Sequence, residues 1–226
     1  MTTRLKESIE NDSSQLGNKK WIFFDVGYTL TNETKCYEDH VKQCVDRLSK
    51  KNIVVSETDY YNLMIDASKN GLKPIRSVWE QFSNKERPKW NAKSEVIYED
   101  TYSTLEKLSK RYKLGIIANQ IEGLENRLFE HGIYKFFKVI VSSHEAGVKK
   151  PNPQIFQKAL QEANTTADNC IYIGDRPDND IVPAKKLGFT TVRIMKGLGQ
   201  YQPEHPCYSS DYTIKDLHEI LCLLNY

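Results

Sequence analysis

The sequence predicts an α/β protein: a parallel sheet with helices on both faces, and a small helical unit inserted after the first strand. Three observations carry this. Short, nearly continuous apolar runs recur along the chain, as strands do when helices cover both of their faces. Between them, apolar residues recur every three or four positions, the period of a helix buried on one side. From about residue 31 to residue 92 the helical period persists with no convincing strand.

The elements follow in order. The first strand is WIFFD, residues 21–25. After it, Val41, Cys44, Val45 and Leu48 fall at i, i+3, i+4 and i+7. Tyr60, Leu63, Met64 and Ala67 repeat the spacing behind a capping-box-like Ser56-Glu57-Thr58-Asp59. Ile75, Val78, Trp79 and Phe82 repeat it again, with Trp79 and Phe82 expected in a shared core. Three such helices read as a small domain over residues 33–92, which leaves 1–32 and 93–226 as the main domain. Thr101, Leu105, Leu108 and Tyr112 mark a helix before the second strand, KLGIIAN (113–119), and FKVIVSS (137–143) is the third. In PNPQIFQKALQEA, Pro151 and Pro153 stand near a helix start, and Ile155, Phe156, Ala159 and Leu160 share one face. The strand CIYIGD (170–175) follows, then a helix carrying Ile181, Ala184 and Lys185 that ends at Gly188. TTVRIM (190–195) and YTI (212–214) complete the sheet. Gly197-Leu198-Gly199 is a GxG without the rest of a dinucleotide fingerprint and reads as a loop.

Composition excludes several classes. With 32 basic and 30 acidic residues the net charge is +2, too balanced and too scattered for a nucleic-acid surface. No apolar run reaches membrane-spanning length. The N-terminal MTTRLKESIENDSSQLGNKK lacks an apolar signal core, so a polar arm or early helix and a cytoplasmic protein are expected. Five cysteines without a CxxC spacing read as reduced thiols, Cys170 as packing. His205 and Cys207 in PEHPC are too few ligands for zinc.

The chemistry lies at the strand ends. In an open α/β sheet, ligands bind beyond the carboxyl ends of the strands. The first strand ends in Asp25, the second in Ala118-Asn119 and the fourth in Gly174-Asp175, with Asp178 and Asp180 close behind. Lys150 follows the third strand. Clustered carboxylates with a backbone carbonyl suit a hard oxygen-seeking cation such as Mg²⁺. A lysine beside them suits a phosphate, and a carboxylate placed against phosphorus is a candidate nucleophile.

These residues carry a resemblance. Asp25-Val26-Gly27-Tyr28-Thr29, Lys150-Pro151 within GVKKPNPQIF, and Gly174-Asp175-Arg176-Pro177-Asp178-Asn179-Asp180 resemble the first, third and fourth motifs of the haloacid dehalogenase superfamily, in the same order. The resemblance runs from Lys20 to the C-terminus. It implies a Rossmann-like core with an α-helical cap that closes over the site and selects the substrate. It implies a Mg²⁺-dependent hydrolase of phosphatase type acting on a small phosphorylated metabolite. It casts Asp25 as nucleophile and metal ligand, the carbonyl of Gly27 and Asp175 as further ligands, and Asp180 as a ligand or an anchor for bound water. Lys150 would hold Asp25 and the phosphoryl group, beside a phosphate-binding Ala118-Asn119 segment. Thr29 would hydrogen-bond the loop around the metal. Tyr28 would lean over the entrance or pack under the cap, and Trp90 would line the crevice.

Two departures stand out. The family's phosphatases carry a second aspartate two positions after the nucleophile, which protonates the leaving alcohol; here that position is Gly27. The usual hydroxyl of the second motif is Ala118, so only the backbone amide of Asn119 remains to donate. A placed general acid is worth about 10²–10⁴ in rate. Glu33, Asp39, His40 and Asp66 in the insert are candidate replacements, with nothing in the sequence to choose among them. Alternatively, the protein has lost hydrolysis and binds a phosphorylated ligand or a protein partner. Phosphonate cleavage would need a cap lysine, for which Lys35, Lys69 and Lys73 are available. Carbon–halogen cleavage is disfavoured, because the superfamily's dehalogenases lack the acidic fourth motif retained here. Oligomeric state is not legible.

Overall fold

Six apolar runs pair into one all-parallel sheet, because each can bury both faces only between layers of helices. The computed structural model describes Leu16 and residues 18–83 and 85–226; the polar N-terminal arm lies outside the described residues. The strands are β1 (Trp21–Phe24), β4 (Lys113–Ala118), β5 (Phe137–Ser142), β6 (Cys170–Gly174), β7 (Thr190–Ile194) and β8 (Tyr212–Ile214). Their order across the sheet is β5-β4-β1-β6-β7-β8. Successive residues of β1 face opposite layers. Ile22 and Phe24 join one apolar core with Leu105, Leu108, Ile116 and Ile173; Trp21 and Phe23 join the other with Ile117, Phe156 and Tyr172.

Three helices fall where the apolar period places them, α4 (Thr101–Leu108), α7 (Pro153–Glu162) and α8 (Val182–Leu187); the short α5 (Leu124–Glu130), α6 (Ser143–Ala146) and α9 (Glu219–Leu223) lie outside that expectation. Asn152 caps α7 by accepting from the Gln154 N–H at 3.0 Å, and Gly188 ends α8 in the left-handed region at φ 97°.

The insert forms three helices, α1 (Thr34–Ser49), α2 (Glu57–Lys69) and α3 (Pro74–Phe82). Ser56 caps α2, accepting from the Asp59 N–H at 3.0 Å. Val41, Cys44, Leu48, Tyr60, Met64, Val78 and Trp79 form a separate core, with Phe82 packed at its edge. Leu198 from the loop after β7 enters that core, and the Ser68 hydroxyl donates to its carbonyl at 2.6 Å. The Gly197-Leu198-Gly199 segment, expected as plain loop, thus includes the start of a short 3-10 helix (Leu198–Tyr201) that ties the insert to the sheet.

One expectation fails. Residues 31–92 are not strand-free: β2 (Thr31–Asn32) pairs antiparallel with β3 (Val96–Ile97). Two residues per strand are too few for any alternation to register. The pair is a two-rung tether where the chain leaves for the insert and returns. All five cysteines are free; Cys36, Cys44 and Cys170 are buried.

Candidate active site

β1 lies between β4 and β6, at the point where strand order reverses, so a crevice opens beyond their carboxyl ends. Asp25 follows β1 directly, and its N–H donates to the Ile173 carbonyl at 2.9 Å, extending the ladder by one rung. Asp175 follows β6. A π-helical turn over Pro177–Ile181 folds Asp180 back beneath them. That return needs Gly174: a β-carbon there would stand 2.7 Å from the Asp180 carboxyl carbon. Carboxylate oxygens of Asp25, Asp175 and Asp180 lie within 4.8 Å of one another, the one such cluster among the described residues.

Lys150 reaches this cluster from the loop after α6. The Asn119 side chain fixes it, accepting from the Lys150 N–H at 2.7 Å and donating to its carbonyl at 2.9 Å. The ammonium lies 2.8 Å from Asp25 Oδ1 and donates to Asp180 Oδ1 at 2.5 Å and to the Tyr172 hydroxyl at 2.9 Å. All three of its protons are therefore engaged. Asp180 is fully committed as well, because its Oδ2 accepts from the Arg176 N–H at 3.0 Å.

Burial sets the electrostatics. It pushes the Asp25 carboxyl up to about 6; Lys150 pulls it back and Asp180 adds to the rise. Burial, with the Asp180 and Asp25 charges behind it, holds Asp175 well above the carboxylate range. Burial opposes the charge on Lys150, but Asp180 and Asp25 outweigh it and hold the amine above its ordinary value. Arg176 is paired with Asp178 at 2.7 Å. Two carboxylates, Asp25 and Asp180, thus share one ammonium, Asp175 stands beside them without a direct pairing to it, and the donors are all oxygen. Excess negative charge in an all-oxygen cluster fits a hard divalent cation such as Mg²⁺.

The space above Gly27 is filled. A β-carbon built on Gly27 would stand 2.5 to 2.7 Å from the carboxylate atoms of Glu33. Glu33 is the N-cap residue of α1, yet its side chain makes no cap hydrogen bond and turns inward. It is 8% exposed. Burial pushes its carboxyl up to about 8, with Glu95 and Asp25 adding and Arg127 opposing. The other candidate acids are occupied elsewhere. Asp39 accepts from Ser94 at 2.7 Å and pairs with Lys35, and Asp66 pairs with Lys69 at 3.1 Å.

A cavity of about 460 Å³ covers the cluster, lined by Asp25, Glu33, Tyr37, Trp90, Lys150 and Asp175 among others. Gly27, Asn119 and Tyr28 line it too, and the Tyr28 ring packs 5.3 Å from that of Tyr37. Lys35, Lys69 and Lys73 do not line it. Ala118 is fully buried and offers no side-chain donor. Thr29 corrects another expectation: its buried hydroxyl has no partner among the described residues, and Thr31 bonds the Val26 carbonyl instead, at 3.2 Å. Sequence reasoning passed over Tyr37, and it read the loop carrying Gly199 without placing it at the site, where the missing β-carbon leaves room for Asp175.

His40 has a structural consequence. Both ring nitrogens are buried beside Trp90 with no partner among the described residues, and burial, with Arg87 and Arg47, lowers its pKa to about 4. The imidazole is neutral when folded, and its free value is about 6.5. Its contribution is therefore full above pH 6.5 and is lost as pH falls toward 4, where the folded form finally takes the proton. The loss at pH 5 is about 2 kcal/mol. Asp25, with its raised value, acts with the opposite sign, so denaturant melts of the parent and His40→Leu at pH 7.5 and 5 isolate the imidazole. The variant should lose markedly less stability on acidification.

No helix among the described residues is long and apolar enough to cross a membrane. Residues 22–194 match the family described as haloacid dehalogenase-like hydrolase. A glyceraldehyde 3-phosphate phosphatase of Methanocaldococcus jannaschii is 30% identical over 219 residues, spanning 89% of this chain and 95% of that protein. A second protein of that name, from Pyrococcus furiosus, is 30% identical over 91% of this chain and 92% of its own. Among solved structures, a haloacid dehalogenase-type phosphatase of Thermococcus onnurineus superposes with a TM-score of 0.63 at 22% identity, covering 91% of this chain and 97% of that one. The chain is a member of the haloacid dehalogenase-like hydrolases.

Proposed function

We propose that the protein is a Mg²⁺-dependent phosphatase of a small phosphorylated metabolite, working through a phosphoryl group carried on Asp25. The convergence of Asp25, Asp175, Asp180 and Lys150 at the strand ends carries this reading. The residues that would hold the cation are Asp25, Asp175 and the Gly27 carbonyl, with Asp180 completing the negative shell. When bound, the cation supplies charge neutralisation for the phosphoryl oxygens. Lys150 holds Asp25 Oδ1, fixes the carboxylate's orientation and adds a positive charge beside the transferring group. Asp25 attacks phosphorus, the substrate oxygen departs, and water then cleaves the acyl phosphate. Helices α1–α3, within residues 33–92, act as a cap whose Tyr37 and Trp90 shape the substrate space. The relatives' name makes glyceraldehyde 3-phosphate the first substrate to assay.

Phosphate release should require added Mg²⁺ and vanish with a chelator. Mg²⁺ should also raise the melting temperature of the parent, by mass action, and leave that of Asp175→Asn unmoved. Binding of phosphate analogues without turnover across a broad phosphate panel would favour the ligand-binding alternative instead.

A further inference from the structure

We propose that Glu33, from the first residue of the helical insert, donates the proton to the departing oxygen in place of the side chain that Gly27 lacks. This rests on the phosphatase reading above. Glu33 alone among the insert's acids brings its carboxyl group into the volume that a side chain at position 27 would fill. It lines the same cavity as Asp25 and Lys150, and no hydrogen bond to a described residue ties its carboxyl down. A residue at a helix N-cap ordinarily turns back to the free N–H groups. Here Asn32 Oδ1 accepts from the Thr34 N–H at 2.9 Å, and Glu33, which makes no cap hydrogen bond, faces the crevice instead.

The step balances. As the Asp25 oxygen bonds to phosphorus, the bond from phosphorus to the substrate oxygen breaks and its electron pair stays on that oxygen. The oxygen takes the proton of Glu33 and leaves as an alcohol. In the second half, water attacks phosphorus and passes a proton to the Glu33 carboxylate. Inorganic phosphate departs and Asp25 is free again.

The position also explains the glycine. An aspartate at 27 and the Glu33 carboxyl cannot share this volume, so the flexible end of Glu33 would have to move aside. Gly27→Asp with Glu33→Ala, which leaves the place to one acid, should therefore turn over the alkyl phosphate faster than Gly27→Asp alone.

The test uses the full chain with Mg²⁺ and two substrates, 4-nitrophenyl phosphate and an alkyl phosphate such as glyceraldehyde 3-phosphate. Nitrophenolate leaves without a proton; an alkoxide does not. Glu33→Gln should lose about 10²–10⁴ in kcat/KM on the alkyl phosphate and less than about tenfold on the aryl one. With the aryl phosphate it should also show a burst of nitrophenolate and a slow steady state, because water attack has lost its base. Equal losses on both substrates, or no loss on either, overturn the assignment while the phosphatase reading stands. A parent inert on both overturns the phosphatase reading and this assignment with it. Should Glu33→Gln fail to fold, the double variant decides: alkyl phosphate turnover restored above that of Gly27→Asp supports the proposal, and no restoration overturns it.

Discussion

Asp25→Asn is expected to fold, to melt no lower than the parent without metal, and to release phosphate on the order of 10⁴–10⁶ times more slowly. The two halves of this result have one cause. Folding raises the Asp25 carboxyl to about 6, so burial disfavours its charged form. At neutral pH the folded protein holds that charge against its preference, and a neutral amide of the same shape removes the strain. The same substitution removes the proposed nucleophile. Rate and melting temperature, measured on one preparation with a chelator present for the melt, check both halves. A variant that is inactive because it is unfolded would contradict the account.

Lys150→Met is expected to do the reverse, lowering stability and activity together. The ammonium is 1% exposed and stands between Asp25 and Asp180. Methionine fills a similar volume and carries no charge. It leaves two buried carboxylates facing each other with no cation between them, which typically costs about 3–5 kcal/mol. Denaturant melts without metal should show that loss. Mg²⁺ should recover part of the stability, since it neutralises the same carboxylates, but not the lysine's place beside the phosphoryl group. A loss below about 1 kcal/mol would mean that the ion pairs do not hold the site together.

Much of this was legible in the residues. Most of the six sheet strands announce themselves because they are nearly continuous apolar runs, and runs such as KLGIIA need no partner to be recognised. The insert's helices announce themselves by period, from Val41 to Phe82. Asp25, Lys150 and Asp175 fall at strand ends or just beyond, and the topology of a parallel sheet brings strand ends together. What stayed hidden depended on distances that no periodicity encodes. The Thr31–Asn32 pairing with Val96–Ile97 is two residues long. The π-helical turn that returns Asp180 depends on the close approach allowed by Gly174. Glu33 was one of four candidate replacements for the missing acid. Choosing it required the course of the Val26–Thr31 turn, in which Tyr28 adopts φ 53° and the carbonyl of Val26 accepts from Thr29, Leu30 and Thr31. That turn decides that the N-cap residue of α1 faces Gly27, while Asp39, further along the helix, pairs with Ser94 and Lys35.

The most direct measurement is an acid quench of the protein, taken within the first turnover of 4-nitrophenyl phosphate with Mg²⁺, followed by peptide mass spectrometry. The account predicts one added phosphoryl group, on the peptide that contains Asp25, at a higher level in Glu33→Gln than in the parent. Phosphate released with no adduct in either protein, or an adduct on a residue outside the cluster, would contradict it.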